Sequence, residues 1–158
     1  MTNDPQTLTQ ETHDRLVAEL DDLTTRGRIE IAQAIEQARA LGDLSENGDY
    51  HAAKDAQGKM EARIRQLQAL LKTAVIVDSQ GSGGTVRNGV VVSIRYEGDD
   101  KDDVQRYFVG SIEERGDLPV ASPSSPLGQA LLGKGAGDVV EYAAPGGTLR
   151  VTIVAVGE

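Results

Sequence analysis

Residues 41–50 read Leu41-Gly42-Asp43-Leu44-Ser45-Glu46-Asn47-Gly48-Asp49-Tyr50, and the apolar residues on either side of this stretch are arranged as mirror images about it. On the N-terminal side, apolar or small residues stand at Leu16, Leu20, Leu23, Gly27, Ile31, Ile35, Ala38 and Leu41. On the C-terminal side they stand at Tyr50, Ala53, Ala56, Met60, Ile64, Leu67, Leu71 and Ala74. Both series step by threes and fours, the spacing of a coiled-coil seam. Taken from the centre outward, the pairs 41 with 50, 38 with 53, 35 with 56, 31 with 60, 27 with 64 and 20 with 71 sum to 91, while 23 with 67 and 16 with 74 sum to 90. A near-constant sum is what two antiparallel helices joined by a tight turn require, because each step along one arm is matched by a step back along the other. No proline falls between Thr9 and Ala74, and Ala, Leu, Ile, Glu, Gln and Arg dominate there, as helices prefer. Arms of about 30 residues at ~1.5 Å per residue predict a rod roughly 45–50 Å long. Ala34, Ala38, Ala53 and Ala56 keep it slim near its tip.

The character of the chain changes after Val77. Residues 78–84 read DSQGSGG, a Gly/Ser stretch suited to a flexible linker. Beyond it, β-rich runs occur at 90–96, 104–111, 118–122, 139–143 and 149–156, separated by turn signals such as Gly98-Asp99 and Pro145-Gly146-Gly147. One helical interruption is predicted at 126–132, with Pro126 early and Gly133 at its end. The predicted class is α+β: an antiparallel α-helical coiled-coil hairpin over 1–77, a linker over 78–84, and a compact, mainly antiparallel β domain with one short helix over 85–158.

Composition narrows the function. The 158 residues carry 16 Lys+Arg against 25 Asp+Glu, a net charge of −9 shared as −4 over 1–77 and −5 over 78–158. Neither half is a basic module, which argues against coating duplex nucleic acid by bulk charge. Five aromatics (four Tyr, one Phe) leave little for a base-stacking platform. With no cysteine and only His13 and His51, disulfides and thiolate metal sites are excluded and a zinc site lacks ligands. No run of ~18 apolar residues and no basic, then apolar leader is present, so a cytoplasmic protein that does not engage membranes is expected.

The turn between the arms carries the chemistry. Asp43 and Glu46 place two carboxylates three residues apart at the apex, with Asn47 beside them. Carboxylates are hard oxygen ligands suited to Mg²⁺, which usually takes one or two of them and keeps other positions for water and phosphate oxygens. Two acids alone form an incomplete phosphoryl-transfer centre, so the remaining ligands would come from another protein. The plainer reading is that an acid or Ser45 caps the second helix. Against it stands the rod, since a cap needs no lever ~45 Å long. Arg39, one turn before Asp43, and Lys54 across the seam are placed to hold a phosphate backbone behind the acids, or simply to be solvated charges in i,i+4 pairs. His51 reads as a hydrogen-bonded surface histidine. The acidic run 97–103 lacks the ligand order of a calcium loop and reads as a solvated hairpin turn.

The run from Ala38 to Gly58, the later Ser125-Pro126-Leu127-Gly128-Gln129-Ala130-Leu131-Leu132-Gly133-Lys134 and the closing Pro145-Gly146-Gly147 closely resemble the bacterial GreA/GreB family of transcript cleavage factors. The resemblance runs from Leu8 to Val156. It implies a coiled coil that enters the secondary channel of RNA polymerase, and an FKBP-like C-terminal domain that docks at the channel rim. There the factor would stimulate the polymerase to hydrolyse a backtracked nascent RNA at its 3′ end, acting as a monomer and not as an enzyme itself. By the same resemblance, Asp43 and Glu46 match the two tip acids that help hold a Mg²⁺ shared with the polymerase's aspartates. Arg39 and Lys54 match RNA-contacting positions, where Lys54 replaces a common Arg and lacks its bidentate fork. Asn47 and Tyr50 match the tip pattern as supports, Tyr50 closing the seam against Leu41, and Ser124, Ser125 and Pro126 match the loop that meets the polymerase rim. Gly48-Asp49 departs from the commoner Ala-Glu and loosens the first turn of the second helix. Two other readings stay open: a channel-binding regulator that does not stimulate cleavage, and a prolyl isomerase, for which the scarce aromatics are a poor match.

Overall fold

The computed structural model describes residues 6–43, 46–77 and 84–157. Contacts divide the chain into two units, His13–Thr73 and Met1–Thr12 together with Ala74–Glu158.

The first unit is a helical hairpin. Helix α1 (Gln10–Asp22) runs into a π-helical turn (Leu23–Gly27) and on into α2 (Arg28–Arg39); after the tip the chain returns as α3 (Gly48–Thr73). Near the tip the paired Ala38 and Ala53 are buried, and farther along Ile35, Ile64, Leu67 and Leu16 are buried. Ala34, Ala56 and Leu41, which the sequence pattern places in the seam, are exposed. Farther from the tip the constant sum fails. Arg28 pairs with Glu61 at 3.0 Å, a sum of 89, and Arg63 with Glu19 at 2.7 Å, a sum of 82. Gly27 has Met60 as its close neighbour where a constant sum places Ile64; a Cβ on Gly27 would stand 3.1 Å from the Met60 sulfur. Beyond Arg28 the π turn adds to the drift in the same direction, because a wider turn takes up more residues for the same rise. Thr24 and Thr25 support it, donating their hydroxyls to the Leu20 carbonyl at 2.9 Å and the Asp21 carbonyl at 2.7 Å.

In the second unit, β1 (Thr7–Leu8) pairs in parallel with β2 (Val75–Ile76). This pair accounts for the division of the chain: the contacts assign residues before His13 and after Thr73 to the C-terminal unit, whereas the sequence suggests a single break after Val77. Leu8 is fully buried, and the buried Glu114 carboxylate accepts hydrogen bonds from the Thr9 amide at 2.8 Å, the Thr9 hydroxyl at 2.9 Å and the Thr12 hydroxyl. Of the expected linker, 78–83 lies outside the described residues.

The rest of this unit comprises β3 (Val90–Tyr96), β4 (Gln105–Val109), β5 (Val120–Ala121), α4 (Pro126–Leu131), β6 (Val139–Ala144) and β7 (Gly147–Val156). The five strands form one sheet in the order β5-β4-β3-β7-β6. Neighbours are antiparallel except β4 and β5, which run parallel. Val92, Ile94, Val109, Val140, Val151 and Ile153 pack with Val86 and with Leu131 of α4 to form the core. Tyr96, Tyr107 and Tyr142 pack against that core, and the Tyr96 and Tyr142 hydroxyls lie 2.7 Å apart. The acidic run 97–103 forms the exposed turn between β3 and β4.

Candidate functional site

Helix α2 ends at Arg39, and the chain leaves it through Leu41 and Gly42, whose φ of +122° is a conformation side chains rarely adopt. Asp43 follows and is exposed; Glu46, on the other side of the tip, is exposed as well. Leu44 and Ser45 lie outside the described residues, so the cap offered to Ser45 does too.

Asn47 joins the two helix ends. Its Oδ1 accepts from the Tyr50 backbone N–H at 3.0 Å, the side-chain bond of a helix N-cap, and its backbone carbonyl accepts from the His51 N–H at 3.1 Å. Its Nδ2 donates to the Ala38 carbonyl at 2.5 Å, in the last turn of α2. The side-chain cap at the Tyr50 N–H is thus made by Asn47.

Tyr50 is half-buried, but its neighbour across the turn differs from the one expected. Leu41 is 69% exposed, and the Arg39 guanidinium carbon lies 5.8 Å from the Tyr50 ring centroid, with the His51 ring edge-on at 5.6 Å. The tip offers too little apolar surface to bury a Leu there, whereas a cation over a tyrosine face is favourable even when wet. Arg39 and Lys54 share a shallow groove of about 380 Å³ on the hairpin, together with Glu36 and Gln57. The Lys54 ammonium donates to Gln57 Oε1 at 3.0 Å. Glu36 and Gln57, which also line the groove, lie three positions from Arg39 and Lys54 respectively, the spacing of neighbours on one helix face.

At the third expected site, Ser125 is used structurally. Its hydroxyl accepts from the Gly128 N–H at 3.0 Å and donates to the Ser122 carbonyl at 2.6 Å, capping α4. Ser124 and Pro126 remain exposed beside it.

Among the described residues no group of three or more His, Cys, Asp or Glu side chains is placed to hold a metal ion, and no helix is long and apolar enough to cross a membrane. Asp43 and Glu46 are a pair of hard donors on an exposed tip, which suits a partial ligand set for a cation that keeps its other positions for other oxygens.

Two family models match the chain: the one described as Transcription elongation factor, N-terminal, over residues 6–76, and Transcription elongation factor, GreA/GreB, C-term, over residues 80–158. A relative named Transcription elongation factor GreA, from Saccharopolyspora erythraea, is 50% identical over 150 residues, spanning 93% of this chain and 91% of its own. One of the same name from Mycobacteroides abscessus is 47% identical over 151 residues, spanning 93% and 91%. A solved structure of GreA factor homolog 1 from Thermus thermophilus is 29% identical, covers 98% of this chain and 100% of its own, and has a TM-score of 0.44.

Proposed function

Because the chain belongs to the GreA/GreB family of transcription elongation factors, we propose that it binds RNA polymerase, inserts its helical hairpin into the secondary channel and stimulates the polymerase's own hydrolysis of backtracked nascent RNA. The observation that carries this reading is the pair of exposed carboxylates, Asp43 and Glu46, at the apex of a slim antiparallel hairpin whose N-cap bond is made by a different residue, Asn47.

In this reading Asp43 and Glu46 reach the polymerase active site and hold Mg²⁺ together with the polymerase's carboxylates. The bound ion would supply Lewis-acid activation of the attacking water and charge stabilisation for the leaving oxygen. The chain's own part is to bring negative oxygen donors to a fixed point, orient them, and leave the remaining positions open to water and phosphate. Arg39 and Lys54, in one groove behind the tip, hold the phosphates of the extruded RNA. Ser124 and Pro126 meet the channel rim, with Ser125 fixing the loop that carries them. The net charge of −9 fits this division of labour, since the polymerase supplies both the RNA and most of the ligand set.

The test is to add the protein to a stalled, backtracked transcription complex with Mg²⁺ and follow RNA length. Shortening of the transcript, with none when the protein meets the same RNA without polymerase, is the expected result. Binding without shortening would make the chain an occupant of the channel that does not stimulate cleavage.

A further inference from the structure

We infer that Asn47 is a positioning residue whose carboxamide clasps the two helix ends of the tip and so sets the spacing of Asp43 and Glu46; the inference rests on the transcript-cleavage reading above. The two acids hang from different helices. Asp43 follows the end of α2, and Glu46 immediately precedes Asn47 at the start of α3. Their separation therefore depends on how firmly those ends are held together.

The apolar seam contributes little at that point. The buried pair there is Ala38 with Ala53, and the larger Leu41 is 69% exposed. The Asn47 side chain adds a polar link, Nδ2 to the Ala38 carbonyl at 2.5 Å and Oδ1 from the Tyr50 N–H at 3.0 Å. The Ala38 carbonyl also accepts from the Leu41 N–H at 3.1 Å, so its two lone pairs secure the exit from α2 and the entry to α3. A carboxamide carries both the donor and the acceptor that this link needs. An ionised carboxylate of the same shape keeps the acceptor but loses the donor and sets an anionic oxygen against the Ala38 carbonyl. Capping and clasping can therefore be separated by one substitution, Asn47→Asp.

A ligand pair with a loose separation holds a cation less well and presents it less often in the reactive geometry. Partners that orient metal ligands typically contribute about 10- to 100-fold in affinity or activity. Asn47→Asp should lower the thermal stability of the free protein less than Asn47→Ala does, because the cap survives. In backtracked complexes it should lower the shortening rate at saturating factor by about tenfold or more, raise the Mg²⁺ concentration for half-maximal rate, and leave the half-saturating factor concentration unchanged. Asn47→Ala, which adds no charge, should show the same rate loss together with lower thermal stability. In the free wild-type protein, the Asn47 side-chain amide should exchange with solvent more slowly than an unstructured asparagine, and a through-bond NMR coupling should link it to the Ala38 carbonyl carbon.

Wild-type rate and Mg²⁺ dependence in Asn47→Asp would overturn the inference, since capping alone would then suffice. So would a rate loss matched by an equal loss of polymerase affinity, or a freely exchanging Asn47 amide. If the wild-type protein itself shortens no RNA, the transcript-cleavage reading fails and the positioning role falls with it; shortening that is equal in wild type and Asn47→Asp contradicts the positioning role alone.

Discussion

Lys54 and Gly48 are two of the tip positions that depart from the pattern the family resemblance implies, and both differences have measurable consequences. Lys54 is exposed and donates to Gln57, and it offers one ammonium where an Arg would offer a fork. Lys54→Arg should make transcript cleavage more resistant to added salt. Lys54→Ala should weaken cleavage by about tenfold, the value of one hydrogen bond to a charged group at ~1.5 kcal/mol; rates across a salt series check both. Gly48 begins α3 at an ordinary φ, and a Cβ there would meet nothing within 4 Å. Gly48→Ala should stabilise the hairpin by ~0.4–1 kcal/mol through the unfolded chain, read as a higher denaturation midpoint. At this scale the position of the tip was legible, and Asp43 and Glu46 are exposed there. The mirror centre pointed to Asp43 and Glu46 without any structure. The capping role of Asn47 and the placement of Arg39 over Tyr50 were not legible, because both depend on side chains meeting across the turn, and spacing along one helix carries no trace of that.

Helix α3 and its partners show which interactions hold the rod. Leu67 is fully buried, and Leu67→Ala should destabilise the hairpin by about 2–5 kcal/mol, as cavity-forming substitutions do. Arg63 pairs with Glu19 at 2.7 Å with both side chains partly solvated, so Arg63→Met should cost less than ~1 kcal/mol. Denaturant melts of the two variants side by side check the contrast. In the C-terminal unit a Cβ on Gly128 would lie 1.8 Å from the Ser122 carbonyl oxygen, so Gly128→Ala should displace α4 and the neighbouring Ser124–Pro126 loop. Strand β3 matches the limits read from the sequence because its β-branched run ends at the turn signal Gly98-Asp99. Strands β1 and β2 were missed because two residues have no period. The π turn was missed because spacing along one arm does not show the close approach of Gly27 to Met60, which lies on the other helix.

Across the molecule, charge and titration separate the two activities of the chain, staying folded and doing chemistry. In the C-terminal unit, burial first and then the hydroxyl contact with Tyr142 raise Tyr96 above its ordinary pKa, and burial raises Tyr107 likewise. The folded state thus holds these protons more tightly than the unfolded chain. The associated stability is fully present below about pH 10, and is lost as pH rises through the folded-state values. Denaturation midpoints between pH 9 and 11 should fall less steeply for Tyr96→Phe than for the wild type. In the proposed function the tip acids Asp43 and Glu46 would act on an RNA that the polymerase brings. The measurement closest to the central claim is the rate of transcript shortening in backtracked complexes saturated with Asp43→Asn or Glu46→Gln, each checked for equal competition with the wild type for polymerase. The account predicts a loss of about 100-fold or more for each, the scale of removing one group that stabilises a transition state, with competition unchanged. Shortening at the wild-type rate by either variant would contradict it.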